Sequence, residues 1–287
     1  MFASRVAESG RNIFRVLQGR QGCRRSQGVP MKIWSIAVNT YRESIRDRTL
    51  AVVAVFVGIM LACALLAGYM AVGQERKILL DVGLSSLSFF GLIMAIFLGV
   101  GAVRKEIDRR TLNFLLSKPV HRYQFILGKF LGLALTLLIL TFLMTLSLTM
   151  TEILLVRGVS LDSISFWPAA GLLYFELLIV TGLAMFFAVF STPALSTVLT
   201  VTLFLIGRMS LELKWWGEAA SFPIIRWLSR FCYILLPNLA NFNFIAEVAH
   251  GQTISSDIFW GAVQYAIFYV IFLLLGAIYI FERRNLT

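Results

Sequence analysis

Three charged residues stand inside or at the edge of long apolar stretches of this 287-residue chain: Glu152, Glu176 and Arg208. Ionisable groups placed among hydrocarbon-like side chains face the protein interior or water and pair with one another. The trio is therefore either a structural ion pair, Arg208 with Glu176, or the charged lining of a substrate path, and the pair is the favoured reading. Other chemistry has little to build on. His121 and His250 lack a ligating neighbour at helical spacing, so no metal centre is expected. There is no Gly-x-Ser-x-Gly elbow, no His-Glu-x-x-His and no pair of aspartates on one helical face. Gly128-Lys129 resembles the end of a phosphate-binding loop, but Phe130 stands where Ser or Thr is required and Tyr123 where the leading Gly belongs. No catalytic residue and no cofactor in this chain is expected, so any uphill movement draws energy from another chain or an ion gradient.

The elements that must position these charges are set by composition. Hydrophobic residues make up 59% and charged residues 14%, too little polar surface for a soluble domain. A helix needs roughly 20 apolar residues to cross about 30 Å of hydrocarbon, where the backbone must satisfy its own hydrogen bonds. Runs of that kind predict an all-α integral membrane protein with six spans, near residues 49–73, 79–103, 130–156, 169–190, 194–210 and 258–281. The break at Ser191, Thr192 and Pro193 separates the fourth from the fifth. Ahead of them, Ile33, Ile36, Ala37 and Tyr41 share one face of a predicted interfacial helix over residues 31–48. Residues 1–30 form a basic leader, disordered or an extended start with the initiator at Met31. Residues 211–257 form an outer segment, with short amphipathic helices expected around Ile224, Leu228, Cys232 and Leu235 and around Leu239, Phe242, Ile245 and Ala249.

The net charge of +11 follows the membrane, not a nucleic acid. With the N-terminus inside, nineteen of 26 Lys and Arg fall on the cytoplasmic side, the arrangement expected of both termini inside. On that assignment Cys23 lies inside, Cys63 within the first span and Cys232 outside, so no disulfide is expected.

Seven of the inner charges lie in one loop, residues 104–129, with Glu106 and Asp108 as its acids. Within it Leu112, Leu115 and Leu116 make an i, i+3, i+4 apolar face on a short helix that Pro119 ends. A small apolar face rimmed by basic residues, in water, calls for a partner. Because the loop feeds directly into spans on both sides, a push on it reaches two helices at once.

Glu106, Thr111, Leu112, Leu115, Leu116, Ser117, Lys118, Pro119, Arg122, Leu127, Gly128, Lys129 and Gly132 resemble the cytoplasmic loop of ABC-2-type transporter permeases. The stretch PNLANFNF, residues 237–244, is similar to the outer segment of permeases in the nitrous-oxide-reductase maturation and multidrug branches. Arg110 and His121 depart from the family's usual Gly and Ser. The resemblance implies an inner elbow helix before six spans, and a coupling helix between spans two and three that docks on a separate ATP-binding subunit. It implies two such ATPases, carrying ATP and Mg, and a second permease copy or a paralogue. The expected setting is the inner membrane of a prokaryotic cell, and the expected activity is export by alternating access. Two rivals are weighed beside it: an ion-gradient-driven secondary transporter, which predicts midplane carboxylates in gapped helices, and a non-transporting scaffold or assembly factor.

Overall fold

The computed structural model describes residues 29–44, 50–70, 74–108, 122–155, 165–212, 215 and 236–283. Its long elements are α1 (Val29–Ser44), α2 (Leu50–Met70), α3 (Glu75–Asp108), α4 (Arg122–Leu155), α5 (Trp167–Phe190) and α6 (Pro193–Arg208). A 3-10 turn (Leu239–Phe242), the short α7 (Ile245–Ala249) and the long α8 (Ser256–Arg283) complete the order. Among the described residues every element is helical, as a chain whose backbone must bond within itself in hydrocarbon requires. Among the described residues four stretches are long and apolar enough to cross a membrane: Glu75–Val103, Tyr123–Leu154, Trp167–Phe190 and Ser256–Arg283. Two further apolar helices, α2 and α6, stand beside them.

Burial places α5 at the centre. Of its apolar window 72% is inside the bundle, against 33% for α8, so α5 is the axis and α8 the lipid-facing flank. Apolar residues all round a helix have that consequence. Phe268, Phe272 and Leu275 on α8 point outward while Ala266, Leu273 and Ala277 pack inward. Starting α5 costs no backbone donor at its second residue, because Pro168 occupies the first turn, and the chain turns extended at Ser191 before Pro193 opens α6. Glu75, Arg76 and Lys77, which fall between the first two expected spans, belong to α3 itself.

Close packing is arranged by glycine. In membranes helices gain little from burying apolar surface against each other, and small residues that let backbones approach take over. Gly91 and Gly99 on α3 face α5: a Cβ at Gly91 would lie 2.5 Å from Leu177 Cδ1, and one at Gly99 2.7 Å from Ala184 Cβ. Gly128 and Gly132, a GxxxG pair on α4, receive α1, with Cβ positions 2.8 Å from Ile36 Cβ and 2.6 Å from the Ala37 carbonyl oxygen. Within the stretch 31–48, where an interfacial helix is expected, the structure has α1 over Val29–Ser44, packed against α4.

On the opposite side, residues 237–244 are packed into the bundle: Leu239 and Phe242 are fully buried. Gly207 makes this contact close, since its Cβ would sit 2.5 Å from the Pro237 oxygen. Gly251 ends the segment with φ 78°, a conformation other residues adopt only with strain. Residues 224–235, where the first outer helix is expected, lie outside the described residues.

Replacing Gly99 by Leu overpacks the α3–α5 contact and is expected to cost about 1–3 kcal/mol. Gly58→Leu, where nothing lies within 4 Å of the added Cβ, leaves thermal stability in detergent near wild type. Equal melting temperatures for the two variants would refute the glycine account of this interface.

Candidate functional site

Two polar constellations stand out, one at each end of the bundle. At the end where α4 and α6 finish, the three sequence-predicted charges divide between two clusters. Arg208, the last residue of α6, places Nη1 3.4 Å from Glu176 Oε1 on α5. The same nitrogen donates to Ser88 Oγ on α3 at 2.8 Å, and Nη2 donates to Asn243 Oδ1 in the outer segment at 2.8 Å. Its guanidinium also sits 5.7 Å from the Phe204 ring centroid. One planar, five-donor side chain therefore ties together α3, α5, α6 and the segment before α7. Glu176 is buried about 14 Å along α5 from Trp167 at 1.5 Å per residue.

Glu152 has a different partner. Arg76 Nε donates to its Oε1 at 2.7 Å, joining the start of α3 to the end of α4. Glu152 is fully buried while Arg76 is 39% exposed, so the arginine reaches inward from the surface. Among the described residues, Oε2 of both glutamates accepts no hydrogen bond. Arg76 falls between the first two expected spans, where sequence analysis gave it no role. The five residues between spans 49–73 and 79–103 were the signal that fixes its height, since they set Arg76 at the start of α3, level with the end of the antiparallel α4.

Beside Arg208 a second set of bonds holds the PNLANFNF stretch. Ser210 Oγ donates to Asn238 Oδ1 at 2.6 Å, and the Asn238 backbone N–H donates to Tyr265 Oη of α8 at 2.9 Å. The hydroxyls of α4 take no part in a polar path. Thr136, Thr141 and Thr145 each donate to a carbonyl one turn back in their own helix, at 2.9, 2.9 and 2.7 Å.

At the opposite end, Lys129 Nζ donates to the Ala102 carbonyl at 2.8 Å and lies 5.2 Å from the Phe125 ring centroid. Lys129 is only 4% exposed. It and Gly128 were expected on a partner-docking surface. Both are buried among the described residues, Gly128 beneath Ile33 and Ile36. Glu106 lies in the last turn of α3, and Arg122 opens α4. Thr111, Leu112, Leu115, Leu116, Ser117, Lys118 and Pro119 lie outside the described residues. The antiparallel α3 and α4 are thus clamped at both ends, by Arg76–Glu152 and by Lys129–Ala102, with clamps roughly 35–40 Å apart along the helices.

Among the described residues no cluster of His, Cys, Asp or Glu suits a metal ion. Long apolar helices whose inner charges are matched within the chain define a multi-pass membrane protein. Residues 29–286 match the family described as ABC-2 family transporter protein, and the chain belongs to that family. It is accordingly a membrane component of an ABC transporter, of a class that associates with an ATP-binding subunit. No curated protein matches the chain.

Removing one member of a buried ion pair strands the other, at about 3 kcal/mol. Arg208→Ala is expected to lower the melting temperature and membrane yield, and Arg208→Ala with Glu176→Gln to recover part of the loss. Glu176→Gln alone changes yield more than cargo profile. Normal yield with an altered cargo profile would instead assign Glu176 to the substrate path.

Proposed function

We propose that this chain is the six-span permease half of an exporter, driven by a separate ATPase that docks on residues 104–129. The apolar face of Leu112, Leu115 and Leu116 is the docking element, rimmed by Glu106, Thr111, Ser117, Lys118, Pro119 and Arg122. The observation that carries this reading is the pair of 34-residue helices on either side of the loop. At 1.5 Å per residue each is about 50 Å long, well beyond the roughly 30 Å of a hydrocarbon core. Their inner ends therefore reach water, where a soluble partner can grip them. The Lys129–Ala102 bond lies just behind the loop and makes the two helices respond together to a push. Closure of a partner ATPase dimer, with ATP and Mg bound in that partner, rocks this helix pair.

In this reading α2 and α6 complete the six spans, both termini are cytoplasmic, and the membrane is the inner membrane of a prokaryote. α6 has 16 residues, about 24 Å, and the turn at Met209 followed by residues 210–212 extends its path toward the outer surface. Substrate passes between this chain and a second copy or a paralogue. A secondary transporter fits less well, because Glu176 stands in an uninterrupted α5 and is already paired with Arg208.

Co-purification tests the proposal. A subunit with phosphate-loop and signature motifs is expected to come down with the full chain, and Leu115→Asp to release it while leaving the permease monodisperse. An ATPase that stays bound and fully stimulated by Leu115→Asp overturns the docking assignment.

A further inference from the structure

A cavity of about 570 Å³ opens at the inner end of the bundle, between α1, the start of α2, α3 and α4. Its size suits a small-molecule or lipid ligand. One part of its wall is polar, formed by Thr40, Glu43, Ser44 and Lys129, and the rest is apolar, with Ile93, Met94 and Phe97 from α3. Lys129 is buried and Glu43 exposed, so the base lies deeper than the acid. Phe97 is 69% exposed, which leaves the apolar side open to the surrounding hydrocarbon. The cavity sits where α3 nears Arg104 and Lys105, at the inner boundary of the membrane. A second groove, between α1, α4, α5 and α8, is lined by apolar side chains alone and offers nothing to a headgroup.

We propose that the α1–α4 cavity holds a phospholipid of the cytoplasmic leaflet whose headgroup carries an ammonium, of the phosphatidylethanolamine type. Its phosphate, the deeper charge of such a headgroup, meets Lys129 and the hydroxyls of Thr40 and Ser44. Its ammonium, nearer water, meets the Glu43 carboxylate. Its acyl chain follows Ile93 and Phe97 into the bilayer. Charge complementarity selects this class: an anionic headgroup would bring like charge to Glu43, and a cationic amphiphile would bring like charge to Lys129. Bound there, the lipid wedges α1 against α3 directly behind the Lys129–Ala102 clamp, so leaflet composition tunes the stiffness of the helix pair. The site rests on the cytoplasmic placement of α1 and is independent of ATPase docking and of cargo.

Gly101 supplies the test. It lines the cavity, and a Cβ built on it meets nothing within 4 Å, so a side chain there has room to start and Gly101→Phe is the variant that fills the space. The full chain is reconstituted in vesicles of equal parts phosphatidylethanolamine and phosphatidylglycerol, with a trace of either lipid carrying a photoactivatable acyl chain. Labelling is mapped at Met94 and Leu133, which line the cavity and are buried from bulk lipid. The expected result is labelling by the ethanolamine probe about tenfold above the glycerol probe, the selectivity of one charge-assisted contact. Gly101→Phe abolishes it, Gly101→Ala retains it, and Glu43→Gln brings the two probes near parity. Equal labelling of wild type by both probes, cross-links from the cavity to residues 1–28, or unchanged labelling in Gly101→Phe overturns the proposal. Should Gly101→Phe fail to fold, an unchanged probe ratio in Glu43→Gln overturns it alone. Loss of ATPase binding in Leu115→Asp leaves this labelling pattern intact, so the two readings fail separately.

Discussion

A charge inside a hydrocarbon slab has no water to fall back on, and most of what holds this bundle in one arrangement follows from that constraint. Arg208 meets it with three hydrogen-bonded partners on three different elements, Ser88, Glu176 and Asn243. Glu152 meets it with Arg76, reached across from the neighbouring helix. Each solution spends one side chain to fix the relative position of helices that apolar contact alone would leave free to slide. Glycine then sets how near those helices come, because with lipid as greasy as leucine, van der Waals contact has to be close to matter.

The two clamps on α3 and α4 give the pair a mechanical character. Arg76–Glu152 joins the start of α3 to the end of α4, and Lys129–Ala102 joins the two helices near their other ends. The Arg208 network is tied to the same pair, since Ser88 belongs to α3. α5 lies between, packed along α3 through Gly91 and Gly99, and α1 is seated on α4 through Gly128 and Gly132. α1 and the stretch before α7 are thereby both attached to the same helix pair.

Several residues change meaning once their neighbours are known. Gly128 and Lys129 belong to a motif that points to a docking loop, yet they are buried, one receiving α1 and the other capping a carbonyl of α3. Asn238 and Asn243 look like ordinary loop asparagines in sequence. In the fold one binds Ser210 and the Tyr265 hydroxyl, and the other binds Arg208. The threonines of α4 would suit a polar lining, but their hydroxyls are absorbed by their own backbone.

What the sequence determined by itself was the solvent, the class of fold and the family. Apolar runs of span length are a one-dimensional property, as is the loop motif, and the break at Ser191 and the family membership are legible there. The intramembrane charges were also visible, because an ionisable residue in an apolar run is conspicuous without any knowledge of its neighbours. Only the tertiary structure decided which charge meets which. Arg76 and Glu152 lie 76 positions apart, and Arg208 and Ser88 lie 120 apart. Such pairings depend on the rotation and depth of each helix in the bundle, which interhelical packing sets and helical periodicity alone leaves open.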